Sequence, residues 1–268
     1  MEERSGFQVG VDAPFHYEEQ VAIFMAPFVA ALVAAGVKMG DDVLDVACGT
    51  GFATRAASNA TGPSGSVIGS DLNPSMLAMA RSVEEDTPTT IDWHEASALD
   101  LPFSDHRFGS VLCQQGIQFF PDVAAGLREM ARVLQPGGVL SASVWAPIEQ
   151  SPFFATEAEM LIDRCGSDPD VSLSAFPVGG ELVVRNWFES AGLRSVTIEL
   201  VEAVVSLPPV SEYVPRHLKA LPWSAGYFEL SEHDQQIALA DLTSRLSEFE
   251  SGDGIDVPFR SYLATATV

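Results

Sequence analysis

The sequence predicts an α/β fold built on a mostly parallel sheet with helices on both faces. Three observations carry this: β-rich runs alternate with helical segments through the first 145 residues, a glycine turn joins the first such pair, and an acidic residue ends the second strand. The 17–35 segment places Val21, Phe24, Met25, Phe28, Val29, Leu32 and Val33 at three- and four-residue intervals, the period of an amphipathic helix that Gly36 stops. Val43-Leu44-Asp45-Val46-Ala47 is a short strand, followed by the turn Gly49-Thr50-Gly51 and an alanine-rich helix through Ala57. A second unit has a strand at 66–70 ending on Asp71 and a helix opening at Pro74, where proline suits the first turn.

Strands at 90–93, 107–113 and 139–145 continue the alternation, with a helix at 123–134 closed by Gln135-Pro136-Gly137-Gly138. Beyond Trp145 the pattern loosens: helices are expected at 153–165 and 181–191, strands at 195–205 and 258–268, and mostly helical or irregular chain at 207–254. In a parallel sheet of this kind the ligand lies beyond the carboxyl ends of the strands.

Composition narrows the partners. The chain has 268 residues, 37 acidic against 14 basic, for a formal net charge of -23, and its only lysines are Lys38 and Lys219. A field of that sign repels phosphate backbones and anionic lipid, so neither nucleic acid nor a membrane surface is an expected partner, and a small-molecule substrate is. No uninterrupted apolar run approaches the roughly 20 residues that span a bilayer. Met1-Glu2-Glu3-Arg4 is not the basic lead of a signal peptide, so a cytoplasmic location is expected. Lysine-poor acidity resembles proteins from salt-accumulating cytoplasm. On that expectation activity and melting temperature rise with potassium chloride, and an optimum at low salt would remove the idea.

The chemistry is concentrated in Val43-Leu44-Asp45-Val46-Ala47-Cys48-Gly49-Thr50-Gly51, with Asp71 twenty residues beyond the last glycine. The glycines let the turn approach a ligand closely, the following helix offers free amides, and Asp71 stands where a carboxylate accepts from ribose hydroxyls. A dinucleotide fits these features as well. Thr54, however, occupies the place of a dinucleotide fingerprint's third glycine, and Asp45 would repel a pyrophosphate while favouring a sulfonium and an ammonium.

These residues resemble the first motif of the class I S-adenosylmethionine-dependent methyltransferases, particularly those of ubiquinone and menaquinone biosynthesis. Gly69-Ser70-Asp71-Leu72-Asn73-Pro74-Ser75-Met76 resembles the second motif, Leu101-Pro102-Phe103 with Phe108 the loop before strand four, and Arg132-Val133-Leu134-Gln135-Pro136-Gly137-Gly138 the turn before strand five. The resemblance covers about residues 15–147 well and the remainder in outline. It implies a Rossmann-like seven-stranded sheet whose last strand, 258–268, runs antiparallel beside 195–205, with S-adenosyl-L-methionine as cofactor.

It further implies that Asp45, Ala47, Gly49, Thr50 and Gly51 cradle the methionine end, Asp71 the ribose, and Leu72 and Met76 the adenine. Ser97 and Ala98 then flank the adenine, and Gln114 and Gln115 contact the cofactor and face the acceptor. The expected division is a core of 1–206 plus 255–268 and a helical lid insertion at 207–254, whose aromatics and prolines close over a small apolar acceptor. Two other functions stay open: a nicotinamide-dependent oxidoreductase and a non-catalytic module that binds a nucleoside cofactor.

The remaining chemistry-bearing residues are read as background. Cys48, Cys113 and Cys165 lack disulfide or zinc spacing and are expected to be reduced. The five histidines show no metal-ligand spacing, so no metal is expected, and each is read as a surface or loop residue. His16, His217 and Tyr213 fall near the entrance or in the lid and are the candidates for a base, with no catalytic residue assigned. Phe119, Phe120, Trp145, Phe153 and Phe154 divide between core and an apolar acceptor pocket.

Overall fold

The computed structural model describes residues 13–83, 86–176 and 179–268, so the opening four residues read against a signal peptide lie outside them. In chain order the elements are α1 (Ala13–Gly36), β1 (Asp42–Val46), α2 (Phe52–Thr61), β2 (Ser66–Asp71), α3 (Pro74–Ser82), β3 (Ile91–Glu95), β4 (Phe108–Gln114), α4 (Val123–Val133) and β5 (Leu134–Trp145). There follow α5 (Pro152–Cys165), α6 (Pro169–Ser172), α7 (Glu181–Ser190), β6 (Arg194–Leu207), α8 (Val210–Leu218), α9 (Ala225–Glu229), α10 (Glu232–Arg245), β7 (Glu250–Ser251) and β8 (Gly254–Thr267).

The sheet order is β3-β2-β1-β4-β5-β8-β6. The first five strands run parallel, and β8 is antiparallel to both β5 and β6. The two-residue β7 adds an eighth strand off this path by pairing with β8, a short hairpin that no residue pattern announces. Because β1 sits between β2 and β4, the strand order reverses there, and a crevice opens at the carboxyl ends of β1 and β4.

Alternation along β1 sends Leu44 and Val46 into the apolar layer beneath α4 and α7, and Val43 into the layer beneath α1 and α2. Asp45 shares the face of Val43 and meets α2 at Thr54. Asn73 caps α3 by accepting from the Ser75 amide, with Pro74 in its first turn, and Asp122 caps α4 by accepting from the Ala125 amide.

Helix α1 is 24 residues long and apolar enough to cross a membrane by length and composition alone, which the search for uninterrupted runs overlooks. Its face of Val21, Phe24, Met25, Phe28, Val29, Leu32 and Val33 is nonetheless buried in the core. Pro27 lies inside the helix, one position from that face.

Arg132 joins two of the motifs physically. It donates to the Leu101 and Phe103 carbonyls and to Glu129 and Asp105, pinning the loop before β4 onto α4.

Candidate active site

The cavity at the switch point is floored by the turn that follows β1. Burial raises the Asp71 carboxyl above its ordinary range, and backbone amides offset part of that rise. Its Oδ2 accepts from the Gly49 amide at 2.8 Å and its Oδ1 from the Asn73 amide at 2.8 Å, so one carboxylate ties the ends of β1 and β2 together. Gly49 has φ of +56°, and a Cβ there would meet no atom within 4 Å, so its face of the turn is open.

Ala47 and Gln115 adopt φ of 56° and 52°, a left-handed backbone uncommon for residues with a side chain. Both line the cavity. Strain of this kind persists only where the surroundings enforce it. At Gln115 they do: its amide donates to Ser143, its Nε2 donates to Ser261 Oγ at 2.9 Å, and its Oε1 accepts from Gln118.

Ala47, Gly49, Asp71, Leu72, Met76, Ser97, Ala98, Gln114 and Gln115 all line this one cavity. Asp45, Thr50 and Gly51 are not among its lining residues. Asp45 is 0% exposed, its Oδ2 accepts from Thr54 Oγ1 at 2.6 Å, and its Oδ1 has no hydrogen-bond partner among the described residues. Thr54, where a dinucleotide site wants glycine, therefore holds the carboxylate. Arg55 donates to the Thr50 carbonyl at 2.6 Å and pairs with Glu18, clamping α1 over the turn.

Desolvation raises the Asp45 pKa from its ordinary 3.8 to about 7, and Asp71 adds to the rise while Thr54 opposes it. Through that interval the unfolded chain releases the proton more readily, so Asp45 opposes folding increasingly as pH climbs. A bound cation is favoured in the same direction, because only the ionised carboxylate attracts it. Affinity for a cationic ligand is expected to rise roughly three- to tenfold from pH 6 to pH 8, and calorimetry checks this. A flat profile shared with Asp45→Asn would exclude Asp45 as the source.

The far half of the cavity is roofed by more of the chain than the expected insertion. Phe154, Glu157, Ala158 and Leu161 of α5, with Ser172, Ala175 and Phe176, face it alongside His217, Leu221 and Trp223. Tyr17, Val21, Phe24 and Met25 of α1 also line it, as do Phe119, Phe120 and Trp145. Phe153 is core, at 0% exposure. The cover thus draws on α1, α5, α6 and α8, and begins well before residue 207.

One histidine departs from the surface reading. His217, 1% exposed on α8, places Nδ1 2.9 Å from Oε1 of Glu157, itself 4% exposed. Its signal was present in the sequence: Val210, Tyr213, Val214, His217 and Leu218 recur at helical spacing along a buried face. The stripe Phe154, Ala158, Leu161 likewise carries Glu157 in its midst. The three cysteines are free, and burial raises the Cys48 and Cys113 thiols well above their ordinary range, which leaves them poor nucleophiles.

An open sheet with a glycine turn and a buried carboxylate at its switch point is the arrangement of the nucleoside-binding class of Rossmann-like enzymes. The family described as a methyltransferase domain matches residues 43–138, which hold the turn, Asp71 and the Arg132 clamp. The demethylmenaquinone methyltransferase of Staphylococcus carnosus is 43% identical over 103 residues, 38% of this chain and 42% of that protein. The 2-phytyl-1,4-naphtoquinone methyltransferase of Synechococcus elongatus is 32% identical over 164 residues, 56% of this chain and 70% of that protein. A crystal structure of a putative methyltransferase from Bacillus halodurans shares the fold, with a TM-score of 0.56 and 22% identity over 89% of this chain and 97% of that one.

The chain belongs to the S-adenosylmethionine-dependent methyltransferases, in the group similar to those of ubiquinone and menaquinone biosynthesis. It spans less than half of the staphylococcal relative's length. The site has room for the cofactor: the face of the turn at Gly49 is open, and the Asp71 carboxylate lines the cavity beside it.

Proposed function

We propose that this chain methylates a small, largely apolar acceptor held between the carboxyl end of the sheet and the helical cover. The observation that carries the reading is the continuity of one cavity from Gly49 and Asp71 to Phe24, Trp145, Phe154 and Trp223. Bound S-adenosylmethionine supplies a methyl group already activated by its positive sulfur. The protein's task is then alignment and exclusion of water.

In this reading Asp71 accepts from the ribose hydroxyls, Leu72, Met76, Ser97 and Ala98 enclose the adenine, and Ala47 and Gly49 border the methionine end. Asp45 acts on the charge without lining the cavity, with Thr50 and Gly51 shaping the backbone. Gln114, whose Nε2 reaches Met25 Sδ at 3.0 Å, stands at the boundary between the two halves. The Synechococcus relative is named for a 2-phytyl-1,4-naphtoquinone, an acceptor of a kind that suits an aromatic-lined chamber.

The test combines calorimetry with S-adenosylmethionine, S-adenosylhomocysteine and NADH with transfer of labelled methyl into organic-extractable products from an aromatic metabolite panel. Binding of the first two with label in product is expected. Binding without transfer would instead favour a non-catalytic module.

A further inference from the structure

The cover buries two ionisable side chains against an otherwise aromatic chamber, and burial of such groups is tolerated only when they are paired. Glu157 Oε1 lies 2.9 Å from His217 Nδ1, and both residues line the cavity. A carboxylate at Nδ1 selects the tautomer with its proton there, which leaves Nε2 with a free lone pair. The ring is held in place: Tyr213 stacks on it at 5.5 Å and 10°, while Phe24 and Phe153 lie against it at 5.6 and 5.8 Å. Tyr213 spends its own hydroxyl on the Gln20 carbonyl at 2.6 Å and leaves the pair undisturbed. Ser172, 2% exposed, also lines the cavity, and its Oγ has no hydrogen-bond partner among the described residues.

We infer that His217, oriented by Glu157, is the general base of this enzyme, and that its acceptor is a hydroxyaromatic molecule whose hydroxyl proton passes to Nε2. This rests on the methyltransferase reading above and specifies its substrate class. An imidazole matches the acidity of an aromatic hydroxyl far better than that of an aliphatic alcohol, and a neutral amine would need no base. The rings of Phe24, Trp145, Phe154 and Trp223 suit a planar acceptor, and Ser172 Oγ offers a contact for a second polar substituent. For transfer to oxygen, the proton goes to Nε2 and the oxygen pair forms the bond to the methyl carbon. The carbon–sulfur bond breaks with its pair remaining on sulfur.

The experiment uses the full chain with 1-naphthol and 1,4-naphthohydroquinone as acceptors, and 1-methoxynaphthalene as a control without the proton. Wild type is expected to methylate the hydroxylated probes and not the control. His217→Gln should lower kcat roughly 100- to 1,000-fold with KM little changed and remove the acid limb of the kcat/KM profile, and Glu157→Gln should lower kcat roughly tenfold or more. Calorimetric affinity for S-adenosylmethionine should be unchanged in both variants, which separates this proposal from the function on which it rests. Methylation of amines alone, or an acid limb intact in His217→Gln, would overturn the base. Failure of wild type to methylate any hydroxyaromatic while binding the cofactor would overturn the substrate class. A purely bracing role predicts lowered melting temperature with the pH profile unmoved.

Discussion

Asp71→Asn is expected to weaken S-adenosylmethionine binding by about 100-fold or more, measured by calorimetry. The wild-type carboxylate accepts from two amides, Gly49 and Asn73, through different oxygens, and the residue lines the cavity. An amide side chain has one oxygen, so its nitrogen must confront one of those N–H groups, donor against donor. Charge-assisted hydrogen bonds contribute about 1.5–3 kcal/mol each, and losing two of them corresponds to roughly two to four orders of magnitude in affinity. Affinity within threefold of wild type would remove Asp71 from the cofactor site. Fold stability should suffer less, because burial already works against the ionised carboxyl.

Alanine at Gly49 and alanine at Gly51 should fail in opposite ways. Both glycines have positive φ, +56° and +94°. At Gly49 an added Cβ meets no protein atom within 4 Å and lies on the cavity wall. The expected penalty is about 1 kcal/mol of backbone strain, a small fall in melting temperature, and a roughly 100-fold loss of cofactor affinity from the obstructed cradle. At Gly51 the Cβ would lie 2.5 Å from Trp93 Cη2 and 3.1 Å from Arg55 Nη1, away from the cavity. There the strain of overpacking adds to that of the backbone, for about 2–4 kcal/mol and a melting temperature lowered by roughly 5–15 °C. Thermal melting and calorimetry on the two variants form one comparison. Normal cofactor binding by Gly49→Ala would show that the ligand does not approach that turn.

The parts legible in the sequence are those set by neighbours along the chain. The run Val43 to Ala47 with its glycine turn, the helical stripe of α1 and the capped opening of α3 are local patterns, and each lies within a residue or a few of its expected place. Strand β5 starts at Leu134 instead of Val139, because the Gln135-Pro136-Gly137-Gly138 turn, with Gly137 at positive φ, is taken up as an irregularity between the Phe108–Leu134 and Ser110–Val139 pairs. The family resemblance implies β8 antiparallel beside β6, whereas its pairing with β5 on the other side is a finding of the structure, since no spacing rule pairs residue 145 with residue 261.

What escaped was non-local. Glu157 and His217 are 60 positions apart, and each looks unremarkable until α5 and α8 are brought together. Asp45 is expected from the sequence to cradle the cofactor, yet no residue pattern tells that its carboxylate faces Thr54 and not the cavity. The full set of residues lining the far half of the cavity is non-local in the same way. Helix α5 reads as one more sheet-covering helix, and only tertiary packing turns its Phe154–Leu161 stripe toward the ligand.

The placement of β8 has a consequence for how the molecule is made. Synthesis delivers this strand after every other element of the sheet, yet it sits one place in from the edge, so β5 and β6 must wait for it with their ladder groups unpaired. Ser261, carried on β8, is also what secures the Gln115 side chain. The ligand pocket is therefore unfinished until β8 docks, and long-range closure of this kind is slow and exposed to aggregation.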